Sequence, residues 1–162
     1  MSATPWWKNS RGELFVIAQF VVFGLVALAP RTLPGLPEWS SGYKTFGTLA
    51  GGVMLFSGFL LAAAGALKLG RNLTPFICPK TGAVLLEKGA YRIVRHPIYA
   101  GILQIAFGWG LWVHGWLTLG YALLLFIILD RKLRREEEFL LRTFPEYESY
   151  SRRIKRLIPF IY

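Results

Sequence analysis

The chain has 162 residues, 54% of them hydrophobic and 17% charged, with mean hydropathy +0.41 and a net charge of +10. That length allows one domain, and the single Cys78 excludes an internal disulfide and a cysteine-built zinc site. The basic residues fall in blocks between long apolar runs, which points away from nucleic acid and toward the anionic inner leaflet of a membrane. No cleavable signal peptide is expected, because no small-residue cleavage site stands before Pro30-Arg31.

Trp6 and Trp7, beside Lys8 and Arg11, read as an interfacial segment leading into a span. Leu14 to Pro30 carries no charge and predicts a first transmembrane helix. A turn-rich loop follows, with Pro34, Gly35 and Pro37. Thr45 to Leu67 is a second uncharged run, and its small residues, among them Gly47, Gly51, Gly58 and Gly65, suit close helix–helix approach. Lys68 to Arg95 is a polar connection, unusually long unless it covers a site, with Ala83 to Leu86 as a short buried extended piece. Cys78 reads as a passive interfacial thiol.

Ile98 to Leu129 is uncharged for 32 residues. As one helix it would be about 48 Å long, against a hydrocarbon core of about 30 Å. A hairpin turning at His114-Gly115 resolves the mismatch and makes His114 a loop residue. The last helix runs on to Phe144, where Pro145 breaks it, and a short amphipathic helix along the interface is expected over 147–156. Lysine and arginine blocks of 2, 6 and 9 then lie on one side, against 2 and 0 on the other. The fold class is therefore all-α, a polytopic membrane protein with four transmembrane helices, both termini cytoplasmic and a cytosolic helical extension. The whole chain, 1–162, is one domain, with two spans in 1–69 and the catalytic core in 70–162.

The stretch from Gly89 to Gly101 gathers Tyr91, Arg92, Arg95, His96 and Tyr99 at the edge of an apolar helix that Pro97 can open. Arg95 and His96 would lie at the positive end of that helix, where anions are attracted. Such a cluster suits chemistry, but it also suits a basic lipid-headgroup anchor with Tyr91 and Tyr99 as belt residues. Glu136, Glu137 and Glu138 read either as a solvated face with pairs such as Lys132–Glu136, or as a helix that turns one glutamate inward. His96 is the nearby group suited to handling a proton near neutrality, or to donating a hydrogen bond to a ligand.

Arg95-His96-Pro97-x-Tyr99-x-Gly101, then Glu136-Glu137-x-x-Leu140-x-x-x-Phe144, then Tyr147-x-x-Tyr150-x-x-x-Ile154-x-Arg156-x-Ile158-Pro159 carry a resemblance. With Asn72-Leu73-Thr74-Pro75 and Gly89-x-Tyr91-Arg92 upstream, roughly residues 70–159 resemble the isoprenylcysteine carboxyl methyltransferase family. More broadly they resemble the membrane phospholipid methyltransferase superfamily. The resemblance implies S-adenosyl-L-methionine, leaving as S-adenosyl-L-homocysteine, in a cytosol-facing pocket. Tyr91, Arg95, His96, Pro97, Tyr99, Gly101, Glu136 and Glu137 become its contacts. It implies a lipophilic acceptor from the bilayer, bearing a carboxylate, thiol or amine. Lys132 or Arg131 would orient a carboxylate, and Glu137 or His96 would take a proton from an amine or thiol. Two departures stand out: Lys132 replaces an arginine associated with the substrate carboxylate in eukaryotic members, and Phe144-Pro145-Glu146-Tyr147 is one residue short, with proline where glycine is common. A membrane reductase using NADPH, of the sterol reductase type, and a non-enzymatic lipid-binding protein are the alternatives.

Overall fold

Helices form over the uncharged runs and stop at glycine and proline. In the computed structural model, which describes residues 12–80 and 82–162, they are α1 (Glu13–Leu28), α2 (Ser41–Leu69), α3 (Pro97–Trp112), α4 (Trp116–Thr143) and α5 (Tyr147–Arg153). Short 3₁₀ turns at Gly70–Asn72 and Gly89–Arg92 complete the regular structure, and no strand occurs among the described residues. Pro97 opens α3 at its first turn, where a missing N–H costs nothing. Gly70 closes α2 with φ at +52°, a conformation that disfavours a side chain. Phe144 caps α4 in extended conformation just before Pro145.

The segment Ser41–Asn72 is long and apolar enough to cross a membrane, and α1 is a shorter apolar helix. Helix α2 packs mainly against α3, antiparallel, along a glycine seam. A Cβ on Gly51 would stand 2.6 Å from the Gly108 carbonyl oxygen, and one on Gly58 would stand 2.7 Å from that of Gly101. Gly101 meets the Gly58 backbone in return. The opposite face of α2 is large and bare: Phe46, Leu49, Val53, Phe56 and Phe59 are 63% to 69% exposed. Small residues inside and large apolar ones outside invert the soluble pattern and match a helix bathed in lipid.

Helix α4 buries Thr118, Ala122, Leu125, Leu129 and Leu133 at spacings of three and four residues. These pack with Val22 of α1 and Ala100, Leu103 and Ala106 of α3 in one core. The stripe continues into Lys132 and Glu137, so the face that is apolar along the core becomes ionic toward the C-terminal end of α4.

The hairpin turn falls where the sequence places it. His114 sits in it with φ at +53°, its ring Nε2 lying 2.9 Å from the Lys44 carbonyl and 3.2 Å from Thr48 Oγ1. Two local expectations are corrected. The extended piece expected as buried over residues 83–86 has no regular secondary structure and is not buried, with Val84 62% exposed. Helix α5 ends at Arg153, because Lys155 and Arg156 instead offer their carbonyls to the Arg95 and His96 N–H groups. Its apolar positions Tyr147 and Tyr150 are buried within the protein rather than laid along an interface. The reading of Trp6 and Trp7 lies outside the described residues.

Candidate functional site

At the N-terminus of α3 the chain turns through the 3₁₀ segment and brings Arg95 and His96 against α4. Both side chains are buried, as is Tyr91, which removes the reading of this stretch as a lipid-headgroup anchor. Their common partner is Glu137. Its Oε1 accepts from Arg95 Nε at 2.8 Å and Nη2 at 2.7 Å, from the Tyr147 hydroxyl at 3.1 Å, and lies 3.1 Å from His96 Nε2. Its Oε2 accepts from Arg156 Nε at 2.9 Å. Arg95 Nη1 donates to the Ser151 carbonyl at 2.8 Å and to that of Ile154.

The three glutamates therefore separate. Glu138 is exposed near Arg135, Glu137 is buried, and Glu136 is half-buried. The solvated-face reading holds for Glu138 alone. Burial raises the Glu137 pKa, but the hydrogen bond and charge of His96 and the guanidinium of Arg95 outweigh it and hold the group at about 2. Burial and the Glu137 carboxylate push the Tyr147 phenol well above its usual range.

Beside this hub lies a cavity of about 140 Å³, an order of magnitude more than the roughly 10–15 Å³ that one water requires. Its lining joins polar side chains, Tyr91, Arg95, His96, Tyr99, Glu136 and Tyr147, to apolar ones of the long connection, Leu73, Phe76, Ile77, Val84 and Leu85, with Cys78 also on its wall. The long connection supplies much of the cavity wall. Glu136 enters this cavity with the Tyr99 hydroxyl donating to it at 2.9 Å, and no ion pair reaches it among the described residues. Tyr99 stacks on His96 with ring centroids 5.7 Å apart.

Lys132 is 1% exposed. Its ammonium donates to Gln19 Oε1 at 2.6 Å and stands 5.4 Å from the centre of the Tyr99 ring, with no carboxylate in ion-pair range among the described residues. Arg131, next to it, is exposed, and neither Lys132 nor Arg131 is among the residues that line the cavity. Gly101 lies in the seam with α2, away from the cavity walls, and Pro97 contributes to them.

Sequence reasoning missed Tyr147, Tyr150 and Arg156 as site partners, and Gln19. Tyr150 donates its hydroxyl to the Tyr91 carbonyl at 2.6 Å. A signal existed for Gln19: it is the one polar side chain between Leu14 and Pro30, and polar groups at such depth mark interactions.

Known proteins resemble this chain in fold and in sequence. The solved eukaryotic intramembrane Ras methyltransferase, isoprenylcysteine carboxyl methyltransferase, superposes with a TM-score of 0.60 at 22% identity, over 92% of this chain and 63% of that one, which makes the fold alike. Probable protein-S-isoprenylcysteine O-methyltransferases of Oryza sativa, subspecies indica and japonica, are each 31% identical over 72% of this chain and 63% of theirs. The protein-S-isoprenylcysteine O-methyltransferase of Schizosaccharomyces pombe is 26% identical over 74% of this chain and 52% of its own length. The chain thus spans less than two thirds of the curated relatives it matches. The family model for phospholipid methyltransferase matches residues 46–147, from α2 through Glu137 to Tyr147, and the chain belongs to that family.

Proposed function

We propose that this chain is an integral membrane methyltransferase that moves a methyl group from S-adenosyl-L-methionine to a lipophilic carboxylate at the cytosolic membrane face. The observation that carries the reading is Glu136, a carboxylate lining the cavity that no salt bridge reaches among the described residues. Such a group, in a cavity also lined by Tyr91, Tyr99 and Tyr147, suits a positively charged ligand. Exposed N–H groups at the start of α3 suit the carboxylate of the same ligand, and the apolar walls suit a flat ring or a hydrocarbon. When bound, S-adenosylmethionine supplies a methyl group already activated on a sulfonium.

The chain's own work is then orientation, which can lower a barrier by about 7–11 kcal/mol. Glu136 is the counter-charge for the cationic cofactor. Glu137, saturated by its donors and held near a pKa of about 2, is a poor proton acceptor at neutral pH. It serves as a buttress for Arg95 and His96. A carboxylate acceptor needs no deprotonation, and it is the acceptor we assign. Lys132, a buried ammonium bonded to a neutral amide and set against a ring face, is the group we assign to that carboxylate. The relatives' names, which place their methylation on isoprenylcysteine, agree with an acid on a greasy stem.

In this reading α1 to α4 are four spans of a single domain. The blocks of 6 and 9 basic residues, and with them the site and both termini, face the cytosol. Calorimetry with S-adenosylhomocysteine on detergent-purified protein tests the reading, with NADPH and Glu136→Gln alongside. Binding of the homocysteine compound by the folded wild type supports it. Binding of NADPH in its place transfers the assignment to a reductase. Glu136→Gln is expected to weaken the positively charged methyl donor more than the neutral product.

A further inference from the structure

The closing motif from Tyr147 to Pro159 lies almost wholly beyond the residues matched by the family model, yet it completes the hub around Glu137. Three side chains crowd Oε1 of that carboxylate. Oε2 has one donor among the described residues, Arg156. Arg156 is thus the partner on which the second oxygen depends, and it completes the fixing of the carboxylate plane that the donors on Oε1 begin. Arg156 is itself held. Its guanidinium stands 5.7 Å from the centre of the Tyr162 ring. The Tyr162 hydroxyl donates to Asp130 and accepts from Arg134 at 2.8 Å, both on α4. The backbone beside it is zipped to the site, with the Arg95 N–H on the Lys155 carbonyl at 2.7 Å and the His96 N–H on that of Arg156 at 3.0 Å.

We infer that Arg156 is a positioning residue: it fixes the Glu137 carboxylate, and through it the His96 ring that lines the cavity, with Tyr162 pinning Arg156 in turn. Arg95 has independent anchors in the Ser151 and Ile154 carbonyls. The His96 ring has Glu137 as its hydrogen-bond partner, so it feels the carboxylate's rotation directly. Removing Arg156 leaves a buried acceptor unsatisfied, and the carboxylate turns to recover a partner.

The binding readout of this inference rests on the cofactor reading, whereas its geometric readout does not. The experiment compares wild type with Arg156→Ala, Arg156→Lys, Tyr162→Phe and Arg152→Ala in detergent, each confirmed folded by its melting curve. Arg152 bonds Glu148 in solvent on the same helix and serves as control. The first readout is the ring-nitrogen resonances of the two histidines, with His114 at the hairpin turn as internal reference. Arg156→Ala is expected to move His96 and leave His114, Arg156→Lys to restore most of the shift, and Tyr162→Phe to move His96 by less. The second is affinity for S-adenosylhomocysteine, expected to fall about tenfold in Arg156→Ala, the size of a lost charge-assisted hydrogen bond.

Wild-type resonances and affinity in Arg156→Ala overturn the inference, as does an equal effect from Arg152→Ala or no recovery with lysine. If folded wild type binds no S-adenosylhomocysteine, the cofactor reading falls and the His96 resonances alone decide the role of Arg156. If Arg156→Ala does not fold, the lysine and Tyr162→Phe variants carry the same comparison.

Discussion

Helix α3 is held at its two ends by opposite means. Along its length it meets α2 through glycines, backbone against backbone, with the Ser57 hydroxyl donating across the seam to Gln104 Oε1 at 3.0 Å. At its N-terminus it meets α4 and the C-terminal segment through five donors converging on one carboxylate. The seam gains dispersion from close approach and has almost no tolerance for added volume. The hub tolerates little change of charge, because each of its ions is buried only in the company of the others. A single helix thus has a mechanical end and an electrostatic end, and the cavity opens at the second, where small rearrangements of charge have chemical meaning.

The comparison is broken most severely at the hub. Glu137→Ala leaves Arg95 and His96 facing an empty place, and the loss of one partner in a buried pair costs about 3–5 kcal/mol. Thermal melting of the detergent-solubilised protein is expected to show that loss, together with loss of S-adenosylhomocysteine binding. The seam is expected to yield less per substitution. Gly58→Leu drives a side chain into the Gly101 carbonyl and Gln104, and overpacking of this kind costs about 1–3 kcal/mol. Its signature differs: melting falls, while affinity in the fraction that remains folded stays near wild type. Equal loss of affinity in both variants would mean that the two ends are not separable.

The seam was legible in the sequence, and the hub only in part. Glycines recurring at helical spacing between Gly47 and Gly65 have few uses other than close packing, so their role follows from composition. The choice of partner does not, and Gly101 illustrates the gap: its motif points to a cofactor, while its backbone lies against Gly58. Glu136 and Glu137 are adjacent, and a helix places adjacent side chains about 100° apart. That at most one of them could face a given partner was inferable, but which one was not. Arg156 and Tyr147 lie 19 and 10 residues from Glu137, and a three-to-four rhythm of apolar residues says only that a face is buried, not whether lipid or protein buries it. The same ambiguity misplaced α5.

Acid sharpens the electrostatic end alone. Glu137 is lowered from 4.5 to about 2 in the folded protein, so its contribution to stability is complete above about pH 4.5 and is lost as pH falls toward 2. Wild type is expected to lose melting temperature through that window more steeply than Glu137→Gln, which has no such group to protonate. Gly58→Leu, untouched at the hub, is expected to keep the wild-type slope from a lower starting point. Parallel curves for wild type and Glu137→Gln would show that the carboxylate does not titrate as the geometry requires.

The smallest effects on stability are expected one turn earlier on α4, and they divide the two basic residues that the sequence could not. Lys132 is buried against Gln19 with no salt bridge among the described residues. Exchanging it for methionine removes a desolvated charge and refills the space, which offsets the cost of about 1–3 kcal/mol of leaving the buried Gln19 Oε1 without this donor. Arg131 is exposed, and its replacement by alanine is expected to stay within about 0.5 kcal/mol of wild type. Folding therefore barely distinguishes them, and turnover does. With a lipophilic carboxylate as acceptor, Lys132→Met is expected to raise the acceptor KM at least tenfold and to leave S-adenosylhomocysteine binding intact, whereas Arg131→Ala leaves both unchanged. An ammonium kept in a dry place at a cost to stability is explained by a ligand that meets it there. If Lys132→Met turns over like wild type, the acceptor carboxylate does not meet this lysine, and the buried charge serves only to fasten α4 to α1.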